Sequence, residues 1–418
     1  MNGWMSGRLK WCVVLLLAAP LLLFAVCVVL FTPDAPWWDD FYAILQYLSY
    51  PFPDRLLHIA DFHNEHRLVF PRVVFEVFEM AGGERGFPFF WCTVFGDFLL
   101  LLYVYAFGRV FSSRIGILGF IPFVWLFLDL ANCENTIWTL TAVQSHSVLL
   151  FAFLSFFFFS RCGESYGRFV LSLAFAVLAT LASAPGLGVW PVLALAALLG
   201  GGKRRIRDAV VILVLFALIG GWYLNGFLGA HKAYSGGREF SFVRAVDFTL
   251  CFLGNLCPVG WVARVLGVVS IAAIVFLVPR AARFKTDPVF FYLIYLLSIV
   301  ASGVLLRSDS PGIALASRYE IIAISIFCCE AYMFGGLFQG TGRGGLLFER
   351  AVRIAIPLAV AAGCIMPFVA ARMLWERKEK IEYGYGVWPE KTDQLVTYDV
   401  KRGDEILRSY VQRRSRGK

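Results

Sequence analysis

Apolar runs long enough to cross a bilayer recur along nearly the whole chain, and they constrain its fold more than anything else in it. A bilayer core takes about 20 apolar residues per helical crossing. The first such run is 11–31, and others fall at 88–108, 115–131, 136–160, 169–184, 186–200, 208–228, 258–279, 288–306, 319–338 and 354–373. Hydrocarbon offers no water to backbone polar groups, so segments of this kind close their hydrogen bonds internally, as helices. The period-two alternation of a membrane β-barrel is missing. Mean hydropathy of +0.71 with only 16% charged residues excludes an ordinary soluble domain. The expectation is an all-α polytopic membrane protein with about 11 transmembrane helices, one per apolar run.

Orientation follows from the basic residues. Arg8 and Lys10 precede the first run and an acidic loop follows it, which puts the N-terminus in the cytoplasm. No small-residue cleavage site follows that run, so it reads as a retained helix. Every second connection is then cytoplasmic: 109–114, 161–168, 203–207, 280–285 and 343–353, each with at least two Lys or Arg. The positive-inside rule counts those residues alone. An odd number of crossings sends the C-terminus outside the cytoplasm, and the expected address is the inner (plasma) membrane of a bacterium. The net charge of +9 sits mostly in these connections and the tail, which argues against a nucleic-acid partner. Two units are expected: a transmembrane domain over 1–373, with an extracytoplasmic loop at 32–87, and a short extracytoplasmic tail over 374–418. The ten cysteines show no CxxC pair or metal-ligand spacing, and most read as small hydrophobes. Cys251 and Cys257, near the membrane surface, leave a disulfide open.

One connection departs from the rest. Residues 37–72 (WWDDFYAILQYLSYPFPDRLLHIADFHNEHRLVFPR) gather Asp39, Asp40, Asp54, Asp61, Glu65, three histidines and three arginines in a chain that is 59% hydrophobic. Asp39 and Asp40 have two readings. One of them caps the helix-like run 41–50, with Trp37 and Trp38 as interfacial anchors. Alternatively, a partly desolvated carboxylate at this boundary works as a general base. Adjacent acids also suit a hard divalent cation. The run His63-Asn64-Glu65-His66-Arg67 is not the HExxH zinc signature. It suits a polar pocket in which the Arg67 fork takes phosphate while Glu65, His63 and His66 take hydroxyls; transition-metal coordination by His63 and His66, and a solvated loop, are the alternatives. In 71–80, Arg72, Glu76 and Glu79 form one polar stripe against valines and phenylalanines, which predicts a short helix lying in the headgroup plane. Residues 244–256 are a second such candidate.

Elsewhere, Glu134 lies at the outer end of a span, as a functional carboxylate or a plain loop residue. Gln144 and His146 read as interhelical hydrogen-bonding groups. Arg318, beside Tyr319 at the start of a span, and Lys232, with His231, Arg238 and Arg244, go against the basic-poor outer connections, so an anionic partner such as a lipid phosphate is expected there, with pairing to nearby acids as the alternative. Asp97 and Asp129 fall inside spans, where a carboxylate can mark a proton path. Walker, dinucleotide and G-x-S-x-G motifs are missing, so any chemistry belongs to the outer face and runs without ATP.

WWDD followed by HNEHR after a first helix, in a chain of many spans, resembles the GT-C class of integral-membrane glycosyltransferases, in a poorly characterised bacterial branch. The motif-level likeness is confined to 37–72, and the long soluble C-terminal domain of some members has no counterpart here. The resemblance implies an inverting transfer of sugar from a polyprenyl-phosphate donor to a glycan or lipid acceptor on the extracytoplasmic face, within cell-envelope polysaccharide synthesis. It implies Asp39 or Asp40 as base, Arg67 and Arg318 on the leaving phosphate, and Glu65 and His66 on sugar hydroxyls. His63, Glu134, Tyr319 and Lys232 complete the expected substrate contacts. Some members use a divalent metal, Mg or Mn, which this sequence does not require. The competing expectations are a carrier or flippase for a lipid-linked sugar or small solute, coupled through Asp97 and Asp129, and an O-antigen-type polymerase.

Overall fold

The computed structural model describes residues 7–163, 165–200, 205–227, 241–257, 259–308, 311–338 and 342–416. It is all-α, 85% helical. The one sheet among the described residues is a hairpin of two-residue strands, Phe62–His63 and His66–Arg67. Eight helices among those residues are long and apolar enough to cross a membrane, from Lys10–Phe31 to Gly345–Gly386. A ninth is formed if Ile117–Phe127 and Leu130–Ile137, bent by 41° at their junction, count as one span. The runs expected at 169–184 and 186–200 become shorter elements: Tyr166–Ala182, and Val189–Leu199 entered through a 3-10 turn at Ala184–Gly188. Seventeen helical residues reach about 26 Å, a little under a bilayer core of roughly 30 Å. Side chains such as Leu22 (68% exposed), Leu218 (66%) and Phe368 (83%) leave the long helices apolar on the outside, as lipid-facing helices are.

Contacts between connections sort them onto two faces. Arg114, ending one span, pairs with Asp287 before another at 2.5 Å, and Arg207 donates to Tyr166. The basic connections near 109–114 and 280–285 therefore share a face, as do those near 161–168 and 203–207. At the other end, the connection after the first span meets Ser183, Tyr223, Arg307 and the C-terminal segment. A first connection and a tail on one face require an odd number of crossings. Among the described residues, the count of nine has that parity.

The bundle interior is aromatic. Tyr103, Phe107, Phe153 and Tyr292 pack ring against ring, and their hydroxyls are satisfied in place: Tyr292 donates to Tyr103 at 3.0 Å, and Tyr103 pairs with Ser325 at 2.7 Å. Gly96 lets its helix touch the next one closely, since a Cβ there would lie 2.6 Å from the Ala142 carbonyl carbon.

At the loop end, Val69–Gly82 and Phe242–Leu253 are the two short amphipathic helices expected from the sequence. The polar stripe of the first turns inward. Arg72 donates to the carbonyls of His58, Ile59 and Asp61, Glu76 pairs with Arg55, and Glu79 takes Tyr410, Arg413 and Arg414. Val73, Val77 and Met80 are the exposed side. The helix Gly342–Gly386 runs through residue 374, and the chain then folds back into Val400–Arg416 over the first connection. Cys251 and Cys257 are both free thiols.

Candidate functional site

Two cavities open at the loop end and share a wall made by Asp39, His63, Asn64 and Tyr398. The larger, about 650 Å³, is polar and aromatic. The first connection supplies Tyr42, Tyr50, His58 and Asp61, and the tail adds Asp399 and Arg402. The smaller, about 410 Å³, is lined by the long helices. Val148, Leu149, Leu224, Ile299 and Leu306 make it apolar, and Arg307, Arg318 and Tyr319 close one side.

The hairpin sets the shared wall. Asn64 and Glu65 form its two-residue turn, and Asn64 takes φ +52, a left-handed conformation that asparagine tolerates. His63 then lies beside Asp39, with Nε2 3.8 Å from the carboxylate. Glu65 is buried and receives Arg307 at 2.9 Å, and Arg307 also donates to the Tyr319 hydroxyl. His66 lines the helix-lined cavity with Nδ1 3.5 Å from the Ser183 hydroxyl. Burial, with Arg307 nearby, holds its pKa down at about 4, so the ring is neutral at physiological pH.

Asp39 and Asp40 are neighbours with different surroundings. Asp39 lines both cavities, its side chain about 20% exposed. Asp40 is 1% exposed and lines neither. Its carboxylate accepts the Trp37 N–H and the Leu140 N–H, both at 3.1 Å. It is therefore a cap, but for the helix Thr139–Ser160, a hundred residues away, and not for the run that follows it. Burial pushes its pKa well above the usual carboxylate range, against the pull of those two N–H donors. Of the two aspartates expected as base, Asp39 is the one that lines a cavity. Trp37, expected with Trp38 as an interfacial anchor, is 1% exposed, packs on Trp138 with ring centres 5.4 Å apart, and has the Arg377 guanidinium 5.1 Å from its ring centre.

Arg67, expected on phosphate, reaches neither cavity. Its guanidinium donates to the carbonyls of Ala60, Tyr223 and Asn225 and lies 4.1 Å from the Phe62 ring centre. That set fixes the hairpin to the helix Arg205–Leu224 and leaves the fork committed to carbonyl oxygens. Glu134 also stands outside both cavities, 3.8 Å from Arg318, which does line one. Lys232 lies outside the described residues. Gln144 and His146 bridge helices as expected: Gln144 donates to Ser183 at 2.7 Å, and His146 Nδ1 meets the Gly96 carbonyl at 2.8 Å. Among the described residues, no three His, Cys, Asp or Glu side chains gather as a metal site. Asp39 and His63 alone make an incomplete set for Mg or Mn.

Sequence reasoning missed Arg307, Tyr398, Asp399 and Arg402. Arg307 reads as an ordinary cation at a span end. The other three sit in a charged tail whose only local cue is the aromatic-acid pair Tyr398-Asp399.

The fold and this end of it define a multi-pass membrane protein with a two-chambered site. No protein-family model matches the chain, and no curated protein or solved structure matches it either.

Proposed function

We propose that this chain is a GT-C-like glycosyltransferase acting on the extracytoplasmic face of a bacterial plasma membrane, with its N-terminus in the cytoplasm and its C-terminal helix outside. The observation that carries this reading is Asp39, a carboxylate on the wall between a polar, aromatic cavity and an apolar one headed by arginines. A polyprenyl-phosphate sugar has that same division, with a greasy chain below a phosphate and a sugar above. In this reading the isoprenoid lies along Leu149, Ile299 and Leu306, and the phosphate meets Arg307 and Arg318. The acceptor enters the polar cavity, where tyrosine rings suit the C–H faces of a sugar. Asp39 takes the proton from the acceptor hydroxyl as its oxygen attacks the anomeric carbon, and the carbon–phosphate oxygen bond breaks with inversion. The electron pair leaves with the lipid phosphate, where the two guanidinium groups stabilise it.

The test is direct transfer. Purified protein in lipid nanodiscs is incubated with radiolabelled polyprenyl-phosphate sugars and candidate glycan or lipid acceptors, comparing wild type with Asp39→Asn and Asp40→Asn. The reading expects product from wild type and Asp40→Asn and none from Asp39→Asn. Full turnover in Asp39→Asn, or no transfer from any donor, sinks it.

One observation favours a carrier instead. Asp97, 4% exposed within the span Phe89–Ile115, has no hydrogen-bond partner for either carboxyl oxygen among the described residues. A coupling carboxylate is one use for such a group. Proton-dependent uptake in proteoliposomes, lost in Asp97→Asn, would replace the enzyme reading.

A further inference from the structure

His66, Ser183 and Gln144 come from three separate stretches of chain and meet on the helix-lined cavity. The Gln144 amide donates to the Ser183 oxygen at 2.7 Å. A serine hydroxyl has one proton to give. Among the described residues its other partner within hydrogen-bond distance is His66 Nδ1, at 3.5 Å. With the Gln144 amide on one lone pair of the Ser183 oxygen, the Ser183 proton is available to Nδ1, and a neutral imidazole that accepts at Nδ1 carries its own proton on Nε2.

We propose that Gln144, acting through Ser183, is a positioning residue that fixes His66 in the Nε2–H tautomer, making its ring a neutral hydrogen-bond donor to an oxygen of the substrate in this cavity. The Nε2–H role toward substrate rests on the glycosyltransferase reading; the tautomer does not. The ring is held neutral, since burial and the adjacent Arg307 both oppose protonation, with Glu65, His63 and Asp39 the other titratable groups around it. A neutral donor is useful beside two guanidinium groups. It adds a directional N–H to an anionic oxygen without another cation to desolvate.

The experiment reads the tautomer itself. Full-length protein with ¹⁵N-labelled histidine in lipid nanodiscs is examined by nitrogen NMR at neutral pH, with His66 assigned by its loss in His66→Gln. The expected wild-type signature is a protonated Nε2 and a bare Nδ1. Gln144→Glu reverses the relay, because a carboxylate accepts the Ser183 proton and leaves the serine oxygen to accept from Nδ1–H. That variant should switch His66 to the Nδ1–H form. Ser183→Ala breaks the chain and should give a mixture of tautomers. In the transfer assay, Gln144→Glu should lower turnover about 10²-fold, the loss seen when one donor to a developing oxyanion is removed, with little change in donor KM. A wild-type Nδ1–H signature or an imidazolium overturns the proposal, as does a tautomer unmoved by both variants. If the tautomer switches as expected while no sugar transfer is found, the relay stands and only its assignment to glycosyl transfer fails.

Discussion

The polar cavity and the helix-lined cavity meet at Asp39 and His63, but different parts of the chain build them. The polar one is local and terminal. Residues 42–72 make its floor, and a tail from the far end of the sequence closes it, through Tyr398 stacked on Trp38 at 5.8 Å and Tyr42 bonded to Thr397. The helix-lined one is assembled from five helices and the hairpin, and its cations arrive at helix ends, Arg307 finishing one span and Arg318 opening the next. The first can change shape if its cap lifts, whereas the second is rigid to the extent that the bundle is. The difference teaches where each kind of variant should act. Changes at the wall should affect chemistry, changes in the helix-lined cavity should affect donor binding, and changes under the cap should affect access.

The largest expected effect is at the wall. Asp39→Asn should lower sugar transfer by about 10² to 10⁴-fold, the usual contribution of a positioned base, with the unfolding midpoint unchanged. Asp40→Ala should do the reverse. Losing its two N–H contacts in a buried place costs about 1–3 kcal/mol, so the midpoint should fall while activity per folded molecule persists. Equal activity losses from both would erase the distinction between the two aspartates. Next comes Arg307→Gln, which removes a cation from the helix-lined cavity. A charged hydrogen bond is worth about 1.5–3 kcal/mol, so donor affinity should fall roughly 10 to 10²-fold in a binding titration, with acceptor KM little changed.

Glu79→Gln should act mainly on the polar cavity, which the tail closes. Glu79 accepts from Tyr410 at 2.8 Å and Arg414 at 3.0 Å and also holds Arg413, which fixes the C-terminal helix to Val69–Gly82. Weakening that charge should make amide exchange in Val400–Arg416 roughly tenfold faster, while the helix Thr139–Ser160 exchanges as before. Unchanged exchange would mean that the cap is held by its apolar contacts. The smallest effect is a pH dependence. His66, with a pKa near 4 folded against 6.5 ordinarily, binds fewer protons folded than unfolded between those values. Stability should rise with pH through that window, be fully present above about 6.5, and be lost as the pH falls toward 4. The unfolding midpoint of His66→Gln should vary less over the same range, and an identical profile would show that the imidazole is already hydrated.

Much of the fold was legible from period and length, because hydrocarbon leaves a backbone no option but helix and the basic connections alternate by face. The two short helices at the loop end were legible too, from their stripes. The direction in which the stripe of Val69–Gly82 would turn was not. Arg72 and Glu79 read as groups for water, and they are buried because carbonyls from 58–61 and arginines from 413–414 satisfy them there. The same blindness applies to Arg67. A guanidinium fork in a polar loop is equally suited to phosphate and to three carbonyls, and spacing cannot tell which will be present.

By itself the sequence determined an all-helical, membrane-embedded chain and marked the stretch where its ionisable groups collect, since both follow from local hydrophobicity and charge. Only the tertiary structure decided which groups share a cavity. That choice separated Asp39 from Asp40, retired Arg67 to a staple, and brought in Arg307 and a tail tyrosine from hundreds of residues away. The physical reason is that a polar side chain takes its role from the partner that satisfies it, and in a helical bundle that partner usually comes from another helix or from the far end of the chain.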